Sequence, residues 1–220
     1  MEEQKVLILE SEQVYRNPVI CQQKEQKEII YTEEQRTAIQ TFSRDYEQGL
    51  RKTYLLYGVT GSGKTEVYME MIAKVLSEGR QAIVLIPEIA LTYQTVMRFY
   101  RRFGDQIAIL NSRLSAGERY DQWERAARGE VSVMIGPRSA LFAPFSNLGL
   151  ILIDEEHEGA YKSETMPRYH AREVAAERAR LSGASLVLGS ATPSLESYLR
   201  AQNGEYVLLP LHHRAVAGSI

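Results

Sequence analysis

Cysteine is almost absent from this sequence, which contains only Cys21. A single cysteine excludes a disulfide framework within the chain and any metal site built from several cysteines, and it is typical of a reducing compartment. Long apolar runs are also missing, since no stretch approaches the roughly 18 residues that a membrane-spanning helix needs. The opening residues, MEEQKVLILESEQ, are too acidic for a signal peptide. These absences predict a cytoplasmic protein with no membrane partner.

A strong basic balance is lacking as well. The formal net charge is −2, so composition gives no general signature of nucleic-acid binding, and any such site must be local. Two basic candidates are RFYRR at 98–102 and RYHAR at 168–172, although a run like the first is more often a solvated helix face. The length of 220 residues suits one large α/β domain with a short appendage.

Apolar runs alternate with helical patterns from Tyr31 onward. Several predicted strands are continuously apolar, as expected of a parallel sheet covered by helices on both faces. The predicted strands span 53–57, 82–86, 106–110, 131–135, 148–154 and 184–189. The predicted helices span 33–48, 64–78, 91–103, 115–128, 169–181 and 193–202. This order predicts a doubly wound α/β fold with a mostly parallel sheet, whose ligands bind beyond the carboxyl ends of the strands.

The segment YLLYGVTGSGKTEVYMEMI, residues 54–72, carries the clearest chemical signal. Its central part, GVTGSGKT, matches the pattern G-x-x-x-x-G-K-[ST] in full and lies between a predicted strand and a predicted helix, as that pattern requires. Glycines let backbone N–H groups surround phosphate oxygens, and the helix N-terminus adds its positive dipole. In this pattern Lys64 reaches the β- and γ-phosphates and the Thr65 hydroxyl ligates Mg²⁺. The pattern predicts a nucleoside triphosphate site made of Gly58, Val59, Thr60, Gly61, Ser62, Gly63, Lys64 and Thr65.

Two further segments follow predicted strands. Asp154 and Glu155 come directly after the strand at 148–154, where a nucleotide-hydrolysing site would use the first to hold Mg²⁺ and the second to activate water. The alternative is an exposed acidic turn. In LGSATPSLES (188–197), the hydroxyls of Ser190 and Thr192 can bond a neighbouring carboxylate or His157, although the same string also suits a helix cap.

These three segments, in this order and spacing, resemble the first motor lobe of a superfamily 2 helicase. The closest resemblance is to the PriA family of replication-restart helicases, and it covers roughly residues 31–214. It is also carried by LIPEIALT (85–92), GPRSALFAPF (136–145) and DEEHEGAYKSETMPRYHARE (154–173). The last segment is the most specific, because DEAD- and DEAH-box RNA helicases lack its tyrosine-rich part.

The resemblance implies the ATP-binding lobe of a 3′-to-5′ DNA helicase that takes part in primosome assembly at stalled forks. The implied cofactors are ATP and Mg²⁺, with zinc expected only in a second lobe that this chain lacks. The implied partners are single-stranded and forked DNA and other primosome or replisome proteins. We therefore expect a half-motor, nearly inactive alone. In it, residues 1–30 form a linker or the tail of a preceding domain, 31–214 form the lobe, and 215–220 begin the connection to the second lobe.

The resemblance also implies roles for single residues. Gln35 would recognise adenine, with helix capping as the alternative, while His157, Ser190 and Thr192 would couple nucleotide state to the rest of the motor. A loop at 158–170 would sense single-stranded DNA. The implied DNA contacts are Thr92, Arg138, Ser139, Tyr161, Lys162, Arg168, Tyr169 and Arg172. For the two tyrosines, base stacking competes with half-buried packing as the interpretation.

Two other functions stay open at this point. One is another superfamily 2 helicase or translocase, acting on RNA or as a restriction-type motor. The other is a non-catalytic, nucleotide-dependent module that docks replisome proteins. The presence of Lys64 and Glu155 argues against the second, since a module without catalysis needs neither side chain.

Overall fold

The computed structural model describes residues 30–215 and builds them around a single parallel sheet. Its strands lie in the order β3-β4-β2-β5-β6-β1-β7, and the predicted α/β fold is confirmed. The strands are β1 (Thr53–Gly58), β2 (Gln81–Leu85), β3 (Ile107–Ile109), β4 (Val133–Gly136), β5 (Leu148–Ile153), β6 (Ser185–Ser190) and β7 (Val207–Leu211). Apart from Ile30 and Ala215, the predictions for residues 1–30 and 215–220 lie outside the described residues.

Helices connect the strands as the alternation predicts. They are α1 (Glu33–Glu47), α2 (Lys64–Ser77), α3 (Tyr93–Phe103), α4 (Ala116–Ala127), α5 (Ala171–Ser182) and α6 (Leu195–Gln202). Short 3₁₀ turns at Arg138–Phe142 and Gly159–Tyr161 follow β4 and β5. Among the helices that the structure describes, none combines the length and apolarity needed to cross a bilayer.

The core has two layers, one on each face of the sheet. Helices α1, α2 and α3 cover one face, where Phe42 and Ile72 pack against Leu56 of β1. The opposite face is covered by α4, α5 and α6, and there Ala175 packs in the same cluster as Leu55. Neighbouring residues of one strand thus face opposite layers, and both are buried. This is why the strands are continuously apolar.

The sheet order brings three strand ends together. Strand β6 lies between β1 and β5, and its last residue, Ser190, is opposite Tyr57 at the end of β1. On its other side, Leu188 is opposite Ile153, the last residue of β5. Because all three strands are parallel, their carboxyl ends meet at one edge. The segments that follow them are the three that carry the chemical patterns of the sequence.

The sequence prediction missed β7. This strand pairs only with β1, so it forms an edge of the sheet, and it contains the exposed Pro210. Proline cannot donate to a strand ladder and is confined to such edges or to bulges. A short run that contains proline therefore gives a weak strand signal.

Replacing a buried residue at the centre of the sheet tests the layered core. Ile151 lies in β5 and is fully buried, so Ile151→Ala is expected to lower the free energy of unfolding by about 2–5 kcal/mol. Leu181→Ala is the matched control, since Leu181 is 70% exposed on α5 and its truncation should change stability by less than about 0.5 kcal/mol. Urea unfolding followed by circular dichroism gives both values, and equal losses would contradict the proposed layering.

Candidate nucleotide site and the adjoining loop

The glycine-rich loop between β1 and α2 has the backbone that its sequence requires. Gly61 and Gly63 have φ values of +82° and +79°, in the left-handed region that favours glycine. Gly63 is also the N-cap of α2 and offers no side-chain cap. The first N–H groups of α2 are therefore not capped by a side chain, which is the arrangement that binds anions at a helix N-terminus.

Space inside the loop is limited. A Cβ atom on Gly63 would lie 2.2 Å from Gln35 Nε2, and one on Gly58 would lie 2.6 Å from Ser62 Oγ. The Ser62 hydroxyl is buried and has no hydrogen-bond partner. Any side chain at either glycine would therefore displace a neighbour that shapes the loop.

Lys64 directs its ammonium group into this loop. Its Nζ donates to the Gly58 carbonyl oxygen at 2.9 Å and lies 3.9 Å from Glu155 Oε1. The side chain is about nine-tenths buried. The loop and the acidic segment after β5 thus share one cation.

Gln35 caps α1 and also contacts the loop. Its amide oxygen accepts from Thr32 N at 2.8 Å, while Thr32 Oγ1 accepts from Gln35 N, which completes the predicted capping box. Its Nε2 donates to the Ser62 carbonyl oxygen at 2.9 Å. Adenine recognition by Gln35 stays a prediction, and only one amide hydrogen and one lone pair remain for it.

Asp154 is held from two sides by tyrosine hydroxyls. Tyr68 of α2 donates to Asp154 Oδ1 at 2.9 Å, and Tyr161 donates to the Asp154 carbonyl oxygen at 2.7 Å. Burial raises the pKa of Asp154 and the charge of Glu155 adds to the effect, while the Tyr68 hydrogen bond and Lys64 act in the opposite direction. A cation at this position would therefore relieve an unfavourable charge.

Glu155 has the one left-handed backbone conformation found at a non-glycine residue within positions 30–215, with φ of 48°. This conformation is uncommon for such residues and costs free energy. It places the carboxylate between Lys64 and His157, whose Nδ1 lies 3.7 Å from Glu155 Oε2. With 32% of its side chain exposed, Glu155 can meet water while it faces the phosphate loop.

His157 contacts both hydroxyls that the sequence singled out after β6. Its Nδ1 lies 2.7 Å from Ser190 Oγ, and its Nε2 lies 3.3 Å from Thr192 Oγ1. Thr192 N also donates to Ser190 Oγ at 3.0 Å. The three residues form a bridge between the ends of β5 and β6, and their role in coupling stays a prediction.

Glu156 belongs to a buried ion network that sequence reasoning missed. Its carboxylate accepts hydrogen bonds from Ser194 N at 2.6 Å, Ser197 Oγ at 3.1 Å and Arg172 Nη1 at 3.0 Å. The glutamate side chain is fully buried, and Arg172 also contacts Glu196. A signal was present in the sequence, because Glu156 is the third consecutive carboxylate after a buried strand. A carboxylate that is buried there needs hydrogen-bond donors or a cation, since an unpaired buried charge is strongly unfavourable.

Two predicted DNA contacts are corrected by these positions. Arg172 bonds Glu156, Ser194, Ser197 and Glu196, and only 15% of its side chain is exposed, so its guanidinium is used inside the protein. Tyr161 is 1% exposed, and its hydroxyl donates to two backbone carbonyl oxygens, which leaves no ring face for a base. Packing is therefore the correct interpretation for Tyr161.

The other predicted DNA contacts lie on or near the surface. Thr92, Ser139, Lys162 and Arg168 are exposed, and Thr92 also caps α3. Tyr169 is half-buried, with its ring 5.5 Å from that of Phe142 in an edge-to-face contact.

Arg138 fastens the turn after β4 to the loop after β5. It donates to the carbonyl oxygens of Ala160 and Lys162. These bonds connect the turn directly to the loop.

The basic run at 98–102 faces α2 in part. Arg98 contacts Glu66, and Arg102 Nη2 lies 2.6 Å from Glu70 Oε1. Arg98 and Arg102 thus form ion pairs with α2, in agreement with the interpretation of this run as a helix face.

The predicted magnesium ligands offer suitable oxygen atoms. Thr65 supplies a hydroxyl oxygen, and the Asp154 carboxylate has a second oxygen besides the Oδ1 that accepts from Tyr68. A hydroxyl and a carboxylate oxygen beside a phosphate loop are the donors that Mg²⁺ uses in nucleotide sites. The residues therefore fit the ion.

Comparison with known families gives one match over most of the chain. Residues 32–201 match the family model described as DEAD/DEAH box helicase. Among curated proteins, the replication restart protein PriA of Bacillus subtilis is 54% identical over 96% of this chain and 26% of its own length. The protein of the same name from Chlamydia pneumoniae is 50% identical over 84% of this chain and 25% of its own length. This chain thus spans about a quarter of these relatives, and the predicted resemblance to PriA is confirmed.

Solved structures support the fold. The structure of RecG bound to a three-way DNA junction superposes with a TM-score of 0.64 at 23% identity, over 87% of this chain and 25% of RecG. The helicase domain of Hef from Pyrococcus furiosus gives a TM-score of 0.58 at 21% identity, over 82% of this chain and 38% of that one. The sheet, the phosphate loop and the family match agree, and the chain belongs to the DEAD/DEAH box helicase family.

Proposed function

We propose that this chain is the ATP-binding first lobe of a 3′-to-5′ DNA helicase that acts in replication restart. The observation that carries the proposal is the shared edge where Lys64, Asp154 and Glu155 surround the end of the glycine loop. The identity of 54% to a protein named for replication restart supports the specific process. Residues 31–214 would form the lobe, with 1–30 and 215–220 as its connections.

The residues of this edge divide the work of phosphoryl transfer. Backbone N–H groups of the loop and the Lys64 ammonium bind the phosphates, and Thr65 and Asp154 would hold Mg²⁺, which neutralises phosphate charge when bound. Glu155 would accept a proton from the attacking water, because its carboxylate is partly exposed to solvent and lies 3.9 Å from the lysine that would bind the phosphates. The strained backbone of Glu155 supports this role, since such conformations concentrate at functional sites. A module that only docks proteins would have no use for it.

The loop at 158–170 would carry the DNA signal to this edge. The loop is connected to the acidic segment near its start, where Tyr161 donates to the backbone of Asp154, and just after its end, where Arg172 of α5 contacts the carboxylate of Glu156. DNA that shifts the exposed part of the loop, including Arg168, would therefore pull on residues on either side of Glu155. The proposed substrate is single-stranded DNA, which phosphate contacts from Lys162 and Arg168 would hold in a salt-dependent way.

Nucleotide binding is the first test. ADP or ATP with Mg²⁺ at 100 times its dissociation constant should stabilise the protein by about 2.7 kcal/mol, which raises the melting temperature by roughly 5–10 °C. Lys64→Ala should abolish most of this shift in a thermal melt, because it removes the one side-chain cation in the loop. Lys162→Ala is the control, since Lys162 is an exposed lysine outside the glycine-rich loop at 58–65. An unchanged shift in Lys64→Ala would refute the nucleotide site.

Two arginines of the same segment should behave in opposite ways. Arg168→Ala removes an exposed cation, so it should weaken binding of single-stranded DNA and lower the slope of log K against log salt by about 0.7, with little loss of stability. Arg172→Ala leaves Glu156 buried without its cation and should cost about 3–5 kcal/mol of stability. Fluorescence anisotropy with labelled DNA and urea unfolding give the two readouts. If Arg172→Ala were stable and defective only in DNA binding, the assignment of Arg172 to the interior would be wrong.

A further inference from the structure

Tyr68 is a buried tyrosine that contacts the acidic segment from the phosphate-loop helix. It lies in α2, about one turn beyond Lys64 and Thr65, and it is 1% exposed. Its hydroxyl donates to Asp154 Oδ1 at 2.9 Å. The carboxylate oxygen has no proton to give, so the hydroxyl is the donor in this contact.

Strand β6 leaves room for the Tyr68 hydroxyl because residue 189 is a glycine. A Cβ atom on Gly189 of β6 would lie 1.6 Å from the Tyr68 hydroxyl oxygen, which no structure tolerates. The next residue, Ser190, contacts His157. Glycine at 189 therefore lets α2 reach the end of β5 across β6, and the three chemical segments of the chain meet at one hydroxyl group.

The hydrogen bond makes the two carboxylate oxygens of Asp154 unequal. A tyrosine hydroxyl has one proton, and here it goes to Oδ1. The other donor that acts on this carboxylate is the backbone N–H of Glu155. Among the described residues, Tyr68 is the one side chain that donates to Asp154, and it donates to Oδ1. A metal ion would therefore meet Oδ2 without displacing a side chain, and rotation of the carboxylate would break the Tyr68 bond.

We propose that Tyr68 is a positioning residue that orients Asp154 for Mg²⁺ and so sets the metal dependence of nucleotide binding. This inference rests on the proposed nucleotide function. Tyr68 would act through Asp154 and would not contact the nucleotide, because its hydroxyl already donates its hydrogen bond to the carboxylate. Partners of this kind, which hold a metal ligand in place, typically change metal affinity about 10- to 100-fold when they are removed.

The test is the metal dependence of ADP binding in Tyr68→Phe, which removes the hydroxyl and keeps the ring. ADP affinity is measured by calorimetry across a Mg²⁺ titration, and again in excess EDTA. We expect the Mg²⁺ concentration for half-maximal effect to rise at least about 10-fold, with ADP affinity in EDTA unchanged. The lost contact is to the metal ligand alone, so only the metal-dependent part should change.

Tyr54→Phe is the matched control. Tyr54 is likewise fully buried, and its hydroxyl donates to the buried carboxylate of Asp45 at 3.2 Å, away from the loop. It should lower the melting temperature without moving the Mg²⁺ midpoint. If Tyr68→Phe behaves like Tyr54→Phe, Tyr68 is a packing residue and the inference is wrong. If the unmodified protein binds no ADP with Mg²⁺, the proposed function itself fails and the inference falls with it.

A second measurement avoids any folding defect of the variant. Incorporation of 3-fluorotyrosine at position 68 keeps the hydroxyl and gives a ¹⁹F resonance beside Asp154. Adding Mg²⁺ with ADP should shift this resonance, whereas ADP in EDTA should leave it in place. A resonance that does not respond to Mg²⁺ would overturn the proposal even if Tyr68→Phe cannot be purified.

Discussion

Three consecutive carboxylates at the end of a buried strand are the constraint on which the site depends. Like charges this close repel strongly in a protein interior, so each must find a different means of stabilisation. Asp154 accepts a hydrogen bond from the Tyr68 hydroxyl, Glu155 stays partly exposed beside Lys64, and Glu156 is buried against Arg172. The left-handed turn at Glu155 lets these side chains diverge. The division of roles follows from this divergence.

The partners of these carboxylates come from elements that are distant in sequence. The phosphate-loop helix supplies Tyr68 and Lys64, while the loop after β5 and the helix after it supply Tyr161 and Arg172. Each partner is thereby fixed relative to the others through the acidic segment. The loop at 158–170 and the phosphate loop are thus connected to each other through the same few hydrogen bonds. Under the proposed function, this connection would carry the DNA signal to the nucleotide site.

How much the sequence could predict depended on how local each feature is. The phosphate loop and the capping box of Gln35 follow from short patterns, and the structure has both backbones as expected. The strand β7 was not predicted because it contains Pro210 and lies at an edge of the sheet. The family resemblance implied DNA contacts for Tyr161 and Arg172, and an exposed aromatic or cation would suit that role. Their burial is decided by tertiary contacts with β2, with the residue after β5 and with α6. Tyr68 was missed for the same reason, since its acceptor is 86 residues away.

The most direct test of the account is a crystal structure with Mg²⁺ and a non-hydrolysable ATP analogue. It should show phosphate oxygens on the backbone N–H groups of residues 61–65, with Lys64 turned from Gly58 to phosphate. Thr65 Oγ1 and Asp154 Oδ2 should both contact Mg²⁺, while the Tyr68 hydroxyl keeps its hydrogen bond to Asp154 Oδ1. A nucleotide bound elsewhere, or a metal ion on the opposite oxygen with the Tyr68 bond broken, would contradict the account.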